Sequence, residues 1–404
     1  MTGAGHGPLA GLTIVDLSRV LSGPYCTMLA ADMGARVIKI EHPERGDDTR
    51  AWGPPFHDGE STYYLSVNRN KESLALDFKK KEGRDILDEL IARADVVVEN
   101  FRPGSLERLG LDFASLSAKH PRLIMVSVSG FGQTGPRRTE GGYDAVAQAE
   151  GGLMSITGEP NGPAVRLGVA IADIAAGMFA FQGMLLALIA RATSGRGQHV
   201  DVGLLDSVAA LLTYQASRYL ATGQSPERAG NRHLTIAPYD TFDTADGVLV
   251  LAVGNDQQWQ RFCEALGLES LAADDRFRTN ASRVTNYASL QPLVAAALDT
   301  LTLESVVATL RKASVPCGAV RSVGEALADP QILARAMVES IDHPALGTIR
   351  TLGIPVKMSA TPGRVRAHPP RLGEHTRAVL TSDLGMDARR VDELESQGVV
   401  RGLR

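Results

Sequence analysis

Cysteine is scarce in this chain. Its three cysteines, Cys26, Cys263 and Cys317, are far apart and odd in number, so neither a disulfide framework nor a metal cluster is implied. There is no excess of basic residues either. A formal net charge of -4 argues against general nucleic-acid binding, although a local basic pocket remains compatible with it. The opening stretch, MTGAGHGPLAG, lacks the basic residues and apolar core of a signal peptide, so a cytoplasmic location is the expectation. No internal repeat or low-complexity tract interrupts the sequence. After the first apolar run the turn reads SRVLSGPYC, without the G-x-G-x-x-G spacing that a dinucleotide pyrophosphate needs, so a nicotinamide or flavin dehydrogenase is unsupported.

Charge is also missing from one long stretch. Between Arg166 and Arg191 the only charged residue is Asp173, set in RLGVAIADIAAGMFAFQGMLLALIAR. An unpaired buried charge is costly, so such a carboxylate is either satisfied by a partner, as an N-cap or a core Asp bonded to backbone, or kept for chemistry. A membrane span is a third reading, because the run approaches the ~20 residues that a span requires. Its high Gly and Ala content, with Ile, Leu and Phe gathered in the second half, argues against that.

The chain has 404 residues, 44% hydrophobic and 22% charged, which describes an ordinary globular protein with room for two or three domains. The runs LTIVDL (12–17), RVIKIE (36–41), DVVVENF (95–101) and LIMVSVSG (123–130) read as buried strands. Helical patterns, PYCTMLAADMGA and KEGRDILDELIARA, lie between them. This alternation predicts a Rossmann-like α/β domain whose parallel sheet is covered on both faces. Further on, YDTFDTADGVLVLAVGN reads as a hairpin turning at Asp246-Gly247. We therefore expect a large α/β domain over 1–205, a linker over 206–227 and a smaller α+β domain over 228–327. A C-terminal segment, 328–404, is expected to return to the large domain.

Several loops combine Gly and aromatics with polar residues: GDDTRAWGPP, YYLSVNRNKESL, ENFRPGSLERLG and GGYDAVAQAEGG. Each basic residue alone reads as a solvated surface charge. Together they could neutralise a phosphorylated ligand at the carboxyl ends of the strands.

These segments resemble the family III CoA-transferases. The landmarks are DLSRVLSGPYCTMLAADMGARVIKIE, SVNRNKESLALDF, ADVVVENFRPGSLERLG, GYDAVAQAEGGLMSITG, GVAIADIAAGMFA, RGQHVDVGLLDSV, PYDTFDTADG and PPRLGEHT, spread from about residue 9 to 400. Within the family, GDDTRAWGPPF, STYYLSVNRNK and VGNDQQW look most like the branch that moves CoA between succinate and glutarate. The resemblance implies an interlocked homodimer, with CoA thioesters as substrates rather than a permanently bound cofactor. It implies a carboxylic acid as acceptor, and no metal, nucleic acid or membrane.

The resemblance places the catalytic nucleophile at Asp173, whose carboxylate would form an aspartyl mixed anhydride and then an aspartyl-CoA thioester. A position near the start of a helix would help keep it ionised through the helix dipole. CoA contacts carry over to Leu21, Ser22, His42, Asn68, Arg69, Asn70, Lys71, Asn100, Phe101, Arg102 and Arg108, and to Gly141, Gly142, Tyr143 and Asp144. The oxalate-specific member has Gln where Leu21 stands and Arg where His42 stands. Trp52 and Tyr143 align with aromatics of its acyl site. Arg50, beside Trp52, is a candidate for a distal carboxylate. A closing loop that supplies oxyanion donors matches Gly254 and Asn255, without the run of glycines found in the oxalate enzyme. The alternative there is a simple turn with Asn255 or Asp256 as N-cap.

The same fold hosts α-methylacyl-CoA racemases, which pair a His with the Asp in a G-H-D pattern. Here the residues are Gly142-Tyr143-Asp144, and a Tyr with a pKa near ~10 is a poor exchange base at neutral pH.

Overall fold

In the computed structural model residues 7–403 are described, and they form two compact units. The first comprises the described residues up to Leu153, then Leu167–Ala216, and those from Pro330 onward. The second comprises Met154–Arg166 and Ser217–Asp329. The division differs from the expected one in two places. Residues 154–166 belong with the second unit, and the expected linker is divided, its residues up to Ala216 belonging with the first unit and those from Ser217 with the second. Helices Leu204–Leu211 and Thr213–Thr222 occupy most of that span, where LLDSVAALLTYQASRYLATG also reads as helical.

The first unit is built on a seven-stranded sheet. Across it the strands run Val400–Arg401, Lys71–Leu76, Arg36–Glu41, Thr13–Asp16, Val96–Glu99, Ile124–Ser129 and His199–Gly203. Every pairing is parallel except that of the last residues, Val400–Arg401, which run antiparallel against Lys71–Leu76. The apolar runs become strands because both sheet faces are covered, which rewards continuous rather than alternating hydrophobicity. One face packs on Ser22–Asp32 and the long helix Ile171–Ser194, through Cys26, Ala30, Ala172, Ala176, Ala180 and Met184. The other packs on Lys81–Ala92, which presents Ile86, Leu87, Leu90 and Ile91 as one stripe. Fully burying each of those aliphatic side chains is worth ~1.5–3 kcal/mol.

The helix Ile171–Ser194 is long and apolar enough to cross a membrane by length and composition. Its small residues, Ala172, Ala176 and Ala180, are wholly buried against the sheet. Met178, Leu186 and Ile189 are exposed.

The second unit holds a three-stranded antiparallel sheet in the order Cys317–Ala319, Gly247–Ala252, Tyr239–Thr244. Its hairpin closes at Ala245 and Asp246, one residue before the expected Asp-Gly pair, because Gly247 already pairs with Thr244. Phe242, Leu249, Leu251, Trp259 and Phe262 form its core.

Candidate active site

The carboxyl ends of the parallel strands open on two adjoining clefts in the first unit. One, of about 340 Å³, is lined by Asp173 together with Arg19, Val20, Ser22, Asn100, Phe101, Arg102, Ser129, Gly130, Gly141, Gly142 and Tyr143. The other, of about 430 Å³, is lined by His42, Arg45, Phe78, Lys79, Phe101 and Arg108 among others. Arg19, Asp48 and Phe101 belong to both, so the clefts share a wall.

Asp173 sits in the first turn of Ile171–Ser194, partly buried. It is not the cap of that helix. The free N–H of Ala172 donates to Asp144 Oδ1 at 2.8 Å, so Asp144 performs the capping and Asp173 is left for the cleft. Burial is the main influence on the Asp173 carboxyl, and the neighbouring Asp144 charge adds to it. Together they raise it to about 7, against a hydrogen bond from Ser22 that acts the other way. The helix dipole alone would have favoured a fully ionised group, but these two effects outweigh it. The second oxygen of Asp144 accepts from Gln148 Nε2 at 2.7 Å, so both of its oxygens are engaged within the protein.

Ser22 is held by a strained turn. Val20 has φ +69°, a left-handed conformation costly for a β-branched residue. Its N–H donates to Asp47 Oδ1 at 3.2 Å, and Asp47 in turn pairs at 2.8 Å with Lys39, both wholly buried. Lys39 Nζ also donates to the Ser18 carbonyl at 2.8 Å. Asn100 clamps the next residue from both sides, accepting from Arg19 N at 2.9 Å and donating to Arg19 O at 2.7 Å. On the opposite wall, Gly130 and Gly142 touch backbone to backbone. A Cβ on Gly142 would stand 2.5 Å from the Gly130 Cα, so only glycine lets the 141–143 loop reach the sheet edge.

The structure gathers Ser22, Asn100, Phe101, Arg102, Gly141, Gly142, Tyr143 and Asp173 in the first cleft, and His42, Phe101 and Arg108 in the second. It turns other expected ligands inward. Arg69 makes a bidentate pair with Asp32 at 3.0 and 2.6 Å, and Asn70 donates to the same carboxylate at 2.7 Å. Lys71 Nζ is held by Asp16, the Pro24 carbonyl and Asn68 at 2.9–3.2 Å, and Asn68 donates to the Tyr64 carbonyl at 2.9 Å. These four side chains form a buried lock, because a buried charge must keep its partners. Leu21 likewise packs in the core with Met28 and Val67.

Arg50, the candidate for a distal carboxylate, is likewise turned inward. Its guanidinium is spent on both Glu41 oxygens at 2.7 and 2.8 Å, on the Tyr64 hydroxyl at 2.6 Å and on the Pro370 carbonyl at 3.0 Å. The remaining terminal nitrogen, Nη1, stands 3.9 Å from Glu60 Oε2, and Arg50 lines neither cleft. Trp52 is not among the cleft-lining residues and packs edge-on against Tyr63 at 5.2 Å. In the second unit, the Gly254 N–H donates to Gln258 Oε1 at 2.7 Å, and Asn255 caps Asp256–Ala265 by accepting from Gln258 N at 2.9 Å. Both therefore take the turn-and-cap role, and the Gly254 donor is already occupied.

Several neighbours were not singled out from sequence. Tyr63 is pushed up to about 12, first by burial and then by the charge of Asp173. Arg45, Phe78 and Lys79 join the second cleft as isolated residues of ordinary surface-like stretches, so only the fold reveals them.

The Asp173 environment fixes a pH dependence. A carboxylate nucleophile attacks only when ionised, so kcat/KM is expected to rise with pH through about 7 and to level off above it. Asp144→Asn keeps an oxygen to accept from Ala172 but removes the charge, so the Asp173 pKa falls. The acid limb of the kcat/KM profile should move to lower pH in that variant. An unmoved limb would show that another group controls it.

The family model described as CoA-transferase family III matches residues 9–376. A succinate–glutarate CoA-transferase from Agrobacterium fabrum is 44% identical over 382 residues, covering 92% of this chain and 95% of that protein. An acetyl-CoA:oxalate CoA-transferase from Acetobacter aceti is 42% identical, covering 87% of this chain and 90% of that protein. The crystal structure of a CaiB/BaiF family protein from Brucella suis superposes with a TM-score of 0.84 at 43% identity, covering 93% of this chain and 99% of that one.

Proposed function

The chain belongs to the family III CoA-transferases, enzymes that move CoA between acyl-CoA thioesters and carboxylic acids, and from this we propose a donor, an acceptor class and a nucleophile. The donor is succinyl-CoA, the acceptor a short dicarboxylic acid, and the nucleophile Asp173. The observation that carries this reading is the Asp173 carboxyl, freed from capping by Asp144, in a cleft that adjoins a second cleft carrying Arg45, Lys79 and Arg108. Among the described residues none of those three cations is ion-paired, so they are free to meet the phosphates of CoA. The Agrobacterium and Acetobacter relatives are named for glutarate and oxalate, and this supports a dicarboxylate as acceptor.

In this mechanism an Asp173 oxygen attacks the thioester carbonyl, the C–S bond breaks, and CoA leaves as thiolate. The mixed anhydride that remains retains the activation of the thioester, so no ATP is consumed. The thiolate attacks the aspartyl carbonyl and releases the donor acid, leaving an aspartyl-CoA thioester. The acceptor carboxylate attacks that thioester, again expelling thiolate, which then captures the acceptor acyl group and frees Asp173. A carboxylate suits both roles, nucleophile and leaving group. CoA thioesters are the substrates, and these steps require no further cofactor.

The exposed Met178, Leu186 and Ile189 on the long helix support the homodimer that the family resemblance implies, since large exposed apolar faces mark protein contacts.

The test is a panel. Wild-type protein is incubated with succinyl-CoA and glutarate, hydroxymethylglutarate, citramalate, itaconate or oxalate, and new thioesters are read by mass spectrometry. We expect at least one new dicarboxyl-CoA. A panel with no new thioester, combined with deuterium entering C2 of a 2-methylacyl-CoA in heavy water, would contradict the proposal.

A further inference from the structure

A dicarboxylate brings a second negative charge into the catalytic cleft, and something must meet it there. Arg50 pairs with Glu41 and lines neither cleft, and Arg19, which does line the catalytic cleft, is paired with Asp48 at 2.9 Å. The acidic groups of the cleft make the need greater: Asp48, Glu140 and Asp173 all line it. Glu140 is matched by Arg137 at 2.8 Å, which leaves the cleft without a spare positive charge from that pair.

One cation remains. Arg102 lines the cleft with Asp173, is exposed, and makes no ion pair or side-chain hydrogen bond among the described residues. Its guanidinium lies close to the opposite loop. A Cβ on Gly141 would stand 2.8 Å from an Arg102 terminal nitrogen, so the guanidinium lies across the glycine backbone, where any side chain would displace it. Arg102 is not among the residues lining the neighbouring cleft, where Arg45, Lys79 and Arg108 already supply charge for phosphates.

We propose that Arg102 receives the distal carboxylate of the dicarboxylic acid and of the matching acyl group, and so sets the preference of this enzyme for diacids. A planar guanidinium offers two parallel N–H donors to a carboxylate, a geometry that an amide or hydroxyl end group does not reproduce. The assignment rests on the dicarboxylate reading above and changes one residue from a CoA contact to a specificity contact.

The test compares glutarate with its monoamide, glutaramate, as acceptors, in wild type, Arg102→Gln and Arg102→Lys, together with the Kd of free CoA by calorimetry. In Arg102→Gln, the ratio of kcat/KM for glutarate over glutaramate is expected to fall at least tenfold, through KM, while the Kd of CoA stays within about twofold. Arg102→Lys is expected to recover part of that ratio. Equal losses on both acceptors with a weakened CoA Kd would overturn the inference and make Arg102 a phosphate ligand. An unchanged ratio with unchanged CoA binding would overturn it as well. Failure of the wild type to use any diacid would instead remove the dicarboxylate reading on which it stands.

Discussion

Asp173→Ala is expected to abolish CoA transfer, with a loss of roughly 10⁴-fold or more, the scale on which covalent enzymes suffer when the nucleophile is removed. The protein should still fold. Alanine is the best helix former, and the N-terminus of Ile171–Ser194 is capped by Asp144 rather than by Asp173. Binding of free CoA should persist, because the cations of the adjoining cleft are untouched. Steady-state transfer, calorimetry and circular dichroism on the same preparation check all three. A folded variant that retained transfer would show that the nucleophile lies elsewhere.

Asp173→Asn is expected to make the fold more stable, and only at higher pH. In the folded protein the carboxyl ionises near about 7, against an ordinary value of 3.8, chiefly because of burial and secondly because of Asp144. Between those values the folded state binds more protons than the unfolded chain, so stability falls as pH rises through that window. The full penalty is present above it. By linkage it amounts to roughly 2–4 kcal/mol. Asparagine cannot ionise and escapes it, while its helix propensity is close to that of aspartate. Denaturant unfolding should therefore show the variant ahead of wild type at pH 8, with the gap closing toward pH 4. A structural aspartate would behave in the opposite way, with Asn neutral or destabilising at every pH. The combination of lost activity and gained stability is characteristic of a residue kept for chemistry.

How far the sequence could be read follows from what each segment buries. Parallel strands covered on both faces, such as Val96–Glu99 and Ile124–Ser129, are continuous apolar runs and announce themselves. His199–Gly203 does not, since its side chains are mostly only partly buried and its HVDVG sequence carries no apolar run. Val400–Arg401 is too short to leave a pattern. The isolation of Asp173 in an apolar stretch was visible because charge there has no local partner. Asn68 to Lys71 misled for the converse reason. A polar motif looks the same whether it faces solvent or a buried counter-charge. The partners of Asn70 include Asp32 and the backbone N–H groups of Arg366 and Ala367, almost 300 residues away. Arg50 shows the same limit, since its adjacency to Trp52 says nothing of Glu41 or of the Pro370 carbonyl. The freedom of Arg102 is legible only by elimination, once every other cation in its cleft has been assigned.

The central claim is that acyl and CoA groups pass through a covalent bond to Asp173, and trapping that bond tests it most directly. Wild-type enzyme is mixed with succinyl-CoA, quenched with hydroxylamine, digested and sequenced by mass spectrometry. An activated aspartyl carbonyl, whether anhydride or thioester, is converted to a hydroxamate, whereas a free carboxylate does not react. The account predicts a hydroxamate at Asp173 that requires succinyl-CoA and is absent when free CoA replaces it. An unmodified Asp173 in protein that is turning over, or a hydroxamate on a different residue, would contradict it.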